Sequence, residues 1–105
     1  MGVTELERRL ENDDAPPFLL DVREPHEWQI CNLGPQGATL IPMAEVLART
    51  DELPRDREIV VYCRSGGRSA RIVKRLREAG FDGVYNLEGG ILAWADEVDP
   101  SIQKY

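Results

Sequence analysis

Residues 63–69 of the chain, CRSGGRS, combine residue types that together can make a cysteine reactive. Cys63 is the candidate nucleophile, because a thiolate attacks electrophiles far better than a thiol does. Glycines beside it allow successive backbone N–H groups to turn toward one point, and the flanking arginines add positive charge. The other candidate site residues of this loop are Arg64, Ser65, Gly66, Gly67, Arg68 and Ser69. The stretch therefore predicts a loop that binds an anion and holds Cys63 as a thiolate.

The segments on either side of the loop predict where it lies in the fold. The β-branched run EIVVY at 58–62 is typical of a strand, and residues 69–80 show the apolar spacing of a helix. Ser69 is the candidate N-cap of that helix, and Gly80 suits its end. A helix that begins directly after the loop would point its positive N-terminal end toward Cys63.

The rest of the chain alternates between predicted strands and predicted helices. Thr4 and Glu7 have the spacing of a capping box and predict a helix over 4–11. Further strands are predicted at 18–22, 38–41 and 84–87, and further helices at 24–30, 43–49 and 89–98. This alternation predicts an α/β fold with a central parallel sheet of about four to five strands and helices on both faces. Ligands of such sheets bind beyond the carboxyl ends of the strands, where the loop is expected to lie.

Composition limits the classes of function that remain. With 105 residues the chain is predicted to form a single domain, 1–105. The net charge of −6 argues against nucleic acid and anionic membranes as partners, and it suits basic partner surfaces. No apolar run approaches the roughly 20 residues that span a bilayer. Two cysteines and one histidine suggest neither a disulfide scaffold nor a metal site, so we expect a cytoplasmic protein without metal or other cofactor.

Four segments of the chain resemble the rhodanese domain, and they occur in the order that this family shows. They are LLDVREPHEW (19–28), GATLIP (37–42), IVVYCRSGGRSA (59–70) and NLEGGILAW (86–94). The resemblance covers nearly the whole chain and implies a rhodanese-like fold and sulfurtransferase activity. It implies that Cys63 takes sulfane sulfur from thiosulfate or a protein persulfide, carries it as a persulfide, and passes it to a nucleophilic acceptor.

Asp21 and Arg23 end the first predicted strand, at the sheet edge where Cys63 is expected. The resemblance implies that they brace the active-site region. An Asp and an Arg at this spacing can equally well pair only with neighbouring loops. Cys31, the second cysteine, is predicted to pack, with a role as a resolving thiol for Cys63 as the alternative.

Two other classes of function remain as alternatives. Dual-specificity phosphatases related to this fold place five residues between the loop cysteine and arginine, whereas four residues separate Cys63 from Arg68. With this shorter loop, the resemblance to the rhodanese domain implies a pocket for a sulfur substituent. No leaving-group acid can be assigned either, so a phosphatase or arsenate reductase is the weaker alternative. A non-catalytic rhodanese-like module that binds a partner is the other alternative, although such modules usually lack the cysteine.

The loop and the ending GGILAWADEVDPSIQKY together resemble the C-terminal rhodanese domain of adenylyltransferases that supply sulfur for molybdopterin or thiamine precursors. That resemblance implies a cysteine desulfurase as donor and a small sulfur-carrier protein as acceptor. No adenylylation domain is recognisable in the sequence, so we expect either an excised domain or a free-standing relative.

Overall fold

Four parallel strands form a sheet at the centre of the computed structural model, which describes residues 1–105. The strands are β1 (Phe18–Asp21), β2 (Thr39–Leu40), β3 (Ile59–Tyr62) and β4 (Val84–Asn86). They lie in the order β2-β1-β3-β4, with Leu20 of β1 opposite Thr39 of β2 and Val61 of β3. The predicted parallel sheet is confirmed, although each strand is slightly shorter than predicted.

Helices cover both faces of this sheet, as predicted. The α-helices are α1 (Val3–Asn12), α2 (Pro25–Ile30), α3 (Gly67–Glu78) and α4 (Gly90–Glu97). Three short 3₁₀ helices occupy Gly34–Gln36, Met43–Ala48 and Thr50–Glu52. Helices α1 and α4 pack together on one face, while α3 and the second 3₁₀ helix pack together on the other. None of the helices has the length and apolar character needed to cross a membrane.

Alternation along the strands divides the apolar core into two parts. Leu20 and Val61 belong to a core of 13 buried residues under α3, which also contains Cys63. Leu19 and Val60 belong to a core of nine buried residues under α1 and α4. Because successive strand residues point to opposite faces, both sides of the central strands are buried. This explains the continuous apolar runs that the sequence shows there.

The predicted capping box at Thr4 is wrong, although the helix itself is confirmed. Helix α1 begins at Val3, after Gly2, and no side chain caps it. Val3 is only 3% exposed. Because it packs in the core, the helix begins one residue before Thr4. The capping box lies at α2 instead, where Glu24 and Glu27 each bind the other's backbone N–H with a side-chain oxygen.

Ser69 is not the N-cap of α3, which corrects a second prediction. Gly66 is the N-cap, and α3 begins at Gly67, so Ser69 lies in the first helical turn. Gly66 has φ 110°, a left-handed conformation that glycine adopts without strain. The earlier start turns Ser69 toward Cys63.

The site is positioned by a reversal in the direction of the chain between the two central strands. From β1 the chain continues to β2 on one side, and from β3 it continues to β4 on the other. The loops that follow β1 and β3 therefore separate at the carboxyl edge of the sheet, which is where parallel α/β sheets bind ligands. The N–H of Val22, just after β1, donates to the carbonyl of Tyr62, just before Cys63, so both loops start side by side.

Candidate active site

The sulfur of Cys63 lies at the bottom of the loop that follows β3, and the residue is 1% exposed. Its Sγ accepts hydrogen bonds from the backbone N–H groups of Gly66 (3.1 Å) and Ser69 (3.5 Å), and Ser69 Oγ lies 3.3 Å away. Burial alone would raise the pKa of the Cys63 thiol. Hydrogen bonds from Ser69, Gly66 and Ser65 outweigh burial, so the pKa lies below its ordinary value. These donors favour the thiolate, which is the nucleophilic form.

The start of α4 holds the Cys63 loop from the opposite side. Ile91 donates its N–H to the carbonyl of Cys63 (3.0 Å), and Leu92 donates its N–H to the carbonyl of Arg64 (3.1 Å). Gly90 has φ 61°, and a Cβ built there would lie 2.5 Å from both carbonyl oxygens. Gly90, the second glycine of the GGILAW segment, is therefore required for the close approach of α4 to the loop.

Asn86, at the end of β4, is a site residue that the sequence analysis missed. Its Nδ2 donates to the carbonyl of Gly66 (3.2 Å), and its Oδ1 accepts from the hydroxyl of Ser69 (2.5 Å). A hydroxyl carries one proton, so Ser69 can donate to Asn86 or to Cys63 but not to both at once. We expect the Ser69 proton to point to Asn86 while Cys63 is a thiol and to turn to the sulfur when Cys63 ionises.

Arg68 binds a carboxylate that the sequence analysis also missed. Its guanidinium forms a bidentate ion pair with Glu27 of α2, with Nη1–Oε1 at 2.7 Å and Nη2–Oε2 at 2.8 Å. Hydrogen bonds from Arg68 hold the pKa of Glu27 at about 2, against the opposing effect of burial. Arg68 makes no hydrogen bond to the Cys63 sulfur. Its positive charge acts on the site from the rim.

Asp21 and Arg23 form an ion pair that is completely buried, with both side chains 0% exposed. Arg23 Nη2 lies 2.7 Å from Asp21 Oδ2 and 2.8 Å from the carbonyl oxygen of Cys31. Burial disfavours the charge on Arg23, but hydrogen bonds to Asp21 and Tyr105 raise its pKa overall. The structure therefore ties the end of β1 to the loop after α2.

Tyr105 joins this buried pair to the rim of the loop. Its hydroxyl accepts from Arg23 Nη1 (2.9 Å) and donates to Glu27 Oε2 (2.7 Å). Burial and the charge of Glu27 raise the pKa of Tyr105 to about 12, so the hydroxyl keeps its proton at neutral pH. Arg64 lies over the Tyr105 ring at 5.1 Å and donates to the Tyr105 carbonyl. One network of charged and polar side chains thus runs from Asp21 to Arg68.

Cys31 lies apart from Cys63 in the packing of the molecule. It is half-buried and packs against the core under α1 and α4, whereas Cys63 belongs to the core on the other face of the sheet. Its Sγ lies 3.9 Å from Arg23 Nη1. This position agrees with packing and gives no support to a resolving role.

The largest cleft of the molecule does not include the Cys63 loop. It has a volume of about 640 Å³ and lies between α1, α4 and the first 3₁₀ helix, where Leu10, Pro35 and Trp94 line it. A buried sulfur without a large cleft suits a reaction in which only a small group reaches it.

The ion pair of Glu27 predicts a loss of stability in acid. Its pKa in the folded protein is about 2, below the ordinary value of 4.5, so the stabilising effect is complete above about pH 4.5 and disappears as the pH falls toward 2. We expect a decrease of about 2 kcal/mol in the free energy of unfolding, a value reduced because Arg68 is partly exposed. Urea unfolding between pH 2 and pH 6 measures it. A Glu27→Gln variant should lack this part of the pH dependence, and an unchanged pH profile would contradict the assignment.

The fold, together with a cysteine loop between a strand and a helix, defines the class of the protein. The rhodanese-like domain family matches residues 2–97. A protein of Allochromatium vinosum named Sulfurtransferase is 41% identical over 83 residues, which are 79% of this chain and 76% of that protein. The chain belongs to the rhodanese family.

Two further similarities place the chain within this family. The probable adenylyltransferase/sulfurtransferase MoeZ of Mycobacterium tuberculosis is 42% identical over 92 residues, which are 83% of this chain and 22% of MoeZ. The chain spans about a fifth of the length of the curated relatives that match it first. A rhodanese-like domain protein of Staphylococcus aureus superposes with a TM-score of 0.83 at 28% identity, over 100% of this chain and 96% of that one. The resemblance to adenylyltransferase/sulfurtransferases is confirmed, and the named relatives support a role in sulfur transfer.

Proposed function

We propose that the chain is a sulfurtransferase in which Cys63 carries sulfane sulfur as a persulfide. The observation that carries this proposal is the set of donors around Sγ, from Gly66 and from both the N–H and the hydroxyl of Ser69. A persulfide is an anion at neutral pH, as a thiolate is. The same donors therefore stabilise the resting nucleophile and the loaded intermediate.

The proposed reaction has two steps, the loading of Cys63 with sulfur and the transfer of that sulfur to an acceptor. The Cys63 thiolate attacks the outer sulfur of thiosulfate or of a protein persulfide and forms a new S–S bond. The old S–S bond breaks, and its electron pair leaves with sulfite or with a thiolate. An acceptor nucleophile then attacks the outer sulfur of the Cys63 persulfide, and the electron pair of that S–S bond returns to Cys63. With cyanide as the acceptor, the product is thiocyanate.

The site suits an anionic donor that delivers a small group. Arg64 is exposed at the rim, and Arg68 is one-third exposed with Glu27 as its partner, so the loop attracts anions without placing an arginine on the sulfur. The four residues between Cys63 and Arg68 make the loop shorter than that of the phosphatases. Both features favour a sulfane donor over a phosphate ester.

The biological partners are part of the same proposal. Relatives named adenylyltransferase/sulfurtransferase support a relay in which a cysteine desulfurase loads Cys63 and a small sulfur-carrier protein receives the sulfur. Both cysteines are free thiols, which supports a reducing compartment such as the cytoplasm. Residues 1–105 are proposed to form one domain, because both cores share one sheet.

The test is the intact mass of the protein after incubation with thiosulfate, measured without reductant. We expect a gain of one sulfur atom that is absent in Cys63→Ser and retained in Cys31→Ser, which serves as the matched control. Ser69→Ala keeps the nucleophile but removes one donor, so the pKa of Cys63 should rise and loading at neutral pH should slow. Absence of any gain with both thiosulfate and a desulfurase persulfide would overturn the proposal. Turnover of an aryl phosphate would favour the phosphatase alternative instead.

A further inference from the structure

Positive charge is concentrated in the part of the chain that begins at the Cys63 loop. Residues 64–77 contain six of the 13 cations and no carboxylate. Since the net charge of the whole chain is −6, the remaining residues carry −12. The cations of this stretch are Arg64, Arg68, Arg71, Lys74, Arg75 and Arg77. An acidic protein therefore has one strongly basic segment, formed by the active-site loop and α3.

Part of this charge lies along one side of α3 and leads away from the site. Arg68, Arg71, Ile72 and Arg75 have the i, i+3, i+4 and i+7 spacing that places residues on one face of a helix. Arg68 is a member of the Cys63 loop, so this face starts at the candidate active site. The face continues for about two helical turns.

This face of α3 borders an apolar groove. The groove has a volume of about 310 Å³ and lies between α3 and the second 3₁₀ helix. Its lining residues are Met43, Ala44, Leu47, Arg71, Ile72 and Arg75. Leu47 is 40% exposed, which is unusual among the large apolar side chains of this protein. The N–H of Met43 donates to the carbonyl of Val22, so the groove starts at the sheet edge where Cys63 lies.

The arginines that line the groove are not neutralised within the protein. Arg68 is paired with Glu27, but Arg71 is exposed and forms no ion pair. Arg75 lies 3.8 Å from Glu78, and both side chains are about 60% exposed, so this contact is weak. The groove therefore exposes Leu47 between two guanidinium groups, of which Arg71 is unpaired and Arg75 only weakly paired.

We propose that this groove is a docking surface for an acidic protein segment that carries apolar side chains, on the sulfur donor or acceptor. The inference deepens the proposed function and rests on it for the role of the partner. Carboxylates of the segment would pair with Arg71 and Arg75 while its apolar side chains cover Leu47 and Ala44, which are the exposed apolar residues of the groove. Docking would hold the reactive group of a macromolecule against the loop of Cys63, a residue that is only 1% exposed and would rarely be met by undirected collision.

Charge decides between an acidic protein and nucleic acid as the occupant. The net charge of −12 on the rest of the chain repels an extended phosphate backbone. The floor of the groove is apolar, which suits apolar side chains better than phosphates. A short acidic segment contacts only the basic face, since salt screens charges beyond about 8 Å. The whole-chain charge of −6 suggested basic partner surfaces, whereas the local charge around the groove favours an acidic segment there.

The experiment measures fluorescence anisotropy of a labelled synthetic peptide in which Glu and Asp alternate with Leu and Ile. We expect saturable binding that Arg71→Glu with Arg75→Glu weakens at least about tenfold, and that Leu47→Asp also weakens. The matched control is Arg8→Glu, an exposed residue of α1 without an ion pair, which should leave the affinity within about twofold. Release of sulfur from loaded Cys63 to dithiothreitol, a neutral reductant, should be unchanged in all three variants.

Several outcomes would overturn the docking surface. One is that an acidic peptide without apolar residues, or a peptide with Lys in place of the acids, binds as tightly as the original peptide. Another is that Arg8→Glu weakens binding as much as Arg71→Glu with Arg75→Glu does. Tighter binding of a single-stranded oligonucleotide that the same charge reversal abolishes would identify nucleic acid as the occupant. Peptide binding together with a failure of Cys63 to gain sulfur would overturn the proposed function and leave the docking surface in place.

Discussion

Arg23→Met is expected to lower the free energy of unfolding by about 3–5 kcal/mol, because it leaves a buried carboxylate without its cation. Asp21 is 0% exposed and receives three side-chain hydrogen-bond contacts from the guanidinium of Arg23, at 2.7, 3.0 and 3.1 Å. Methionine is similar in length but offers no donor. The same change removes the hydrogen bond from Arg23 to the Tyr105 hydroxyl, so the connection between β1 and the rim of the loop is lost as well. Urea unfolding at pH 7 measures the effect.

Two variants separate the buried charge from a general loss of arginine. Arg49→Met removes an arginine that pairs with Glu45 and Glu52 at the surface, and it should change stability little. Asp21→Asn combined with Arg23→Met removes both charges and should be more stable than Arg23→Met alone. Equal losses for Arg23→Met and Arg49→Met would contradict the importance of the buried pair.

Gly90→Ala is expected to damage stability and sulfur loading together. The left-handed backbone at φ 61° costs an alanine roughly 1–2 kcal/mol. The new Cβ would also lie 2.5 Å from the carbonyl oxygens of Cys63 and Arg64, which are backbone atoms and cannot rotate away. The loop must shift, and the N–H groups that face the sulfur then lose their alignment. We expect a total loss of about 3 kcal/mol in the free energy of unfolding and at least a tenfold slower gain of sulfur from thiosulfate.

Other glycines of the chain provide graded controls for Gly90→Ala. Gly37 has φ 93° but nothing within 4 Å of a Cβ, so Gly37→Ala tests backbone strain alone. Gly67, the first residue of α3, has no positive φ and no atom within 4 Å of a Cβ. Gly67→Ala should therefore change stability and sulfur loading very little. If Gly90→Ala and Gly37→Ala had equal effects on sulfur loading, the contact between α4 and the loop would be unimportant.

The fold and the position of the loop could be predicted because their signals are local in the sequence. The run 59–62 is apolar at every position, as a strand buried on both faces requires, and a glycine-rich turn and a helical pattern follow directly. A cysteine between a strand and a helix start is thereby placed at the carboxyl edge of the sheet. These features depend on neighbours in the chain and need no knowledge of distant contacts.

The partners of the loop could not be predicted, because they come from distant parts of the chain. Glu27 lies 41 positions from Arg68, and Tyr105 lies 78 positions from Glu27. Neither residue type shows by itself that it will meet an arginine across the sheet edge. The arginines of the loop were expected to add positive charge, but nothing local in the sequence indicated that Arg68 would pair with the carboxylate of Glu27 or that Arg64 would lie over the ring of Tyr105.

Ser69 shows a different limit of the sequence. Its position before an apolar helical pattern predicted an N-cap, and the helix pattern was right. The glycine at 66 allowed an earlier start through a left-handed turn, which no residue other than glycine adopts easily. The hydroxyl was then available for the sulfur and for Asn86.

The burial of Cys63 has a consequence for the direction of attack on a persulfide. A persulfide has two electrophilic sulfurs, and attack on the inner one would release sulfide and leave a mixed disulfide with the acceptor. In the proposed persulfide, the outer sulfur would extend about 2 Å beyond Sγ, whereas Sγ itself lies at the bottom of the loop in a residue that is 1% exposed. Because Cys63 is buried and the N–H groups of Gly66 and Ser69 lie against Sγ, we expect in-line displacement at the inner sulfur to be hindered. In the proposed persulfide, the fold would thereby provide regioselectivity, since an acceptor would meet the outer sulfur before it meets Sγ.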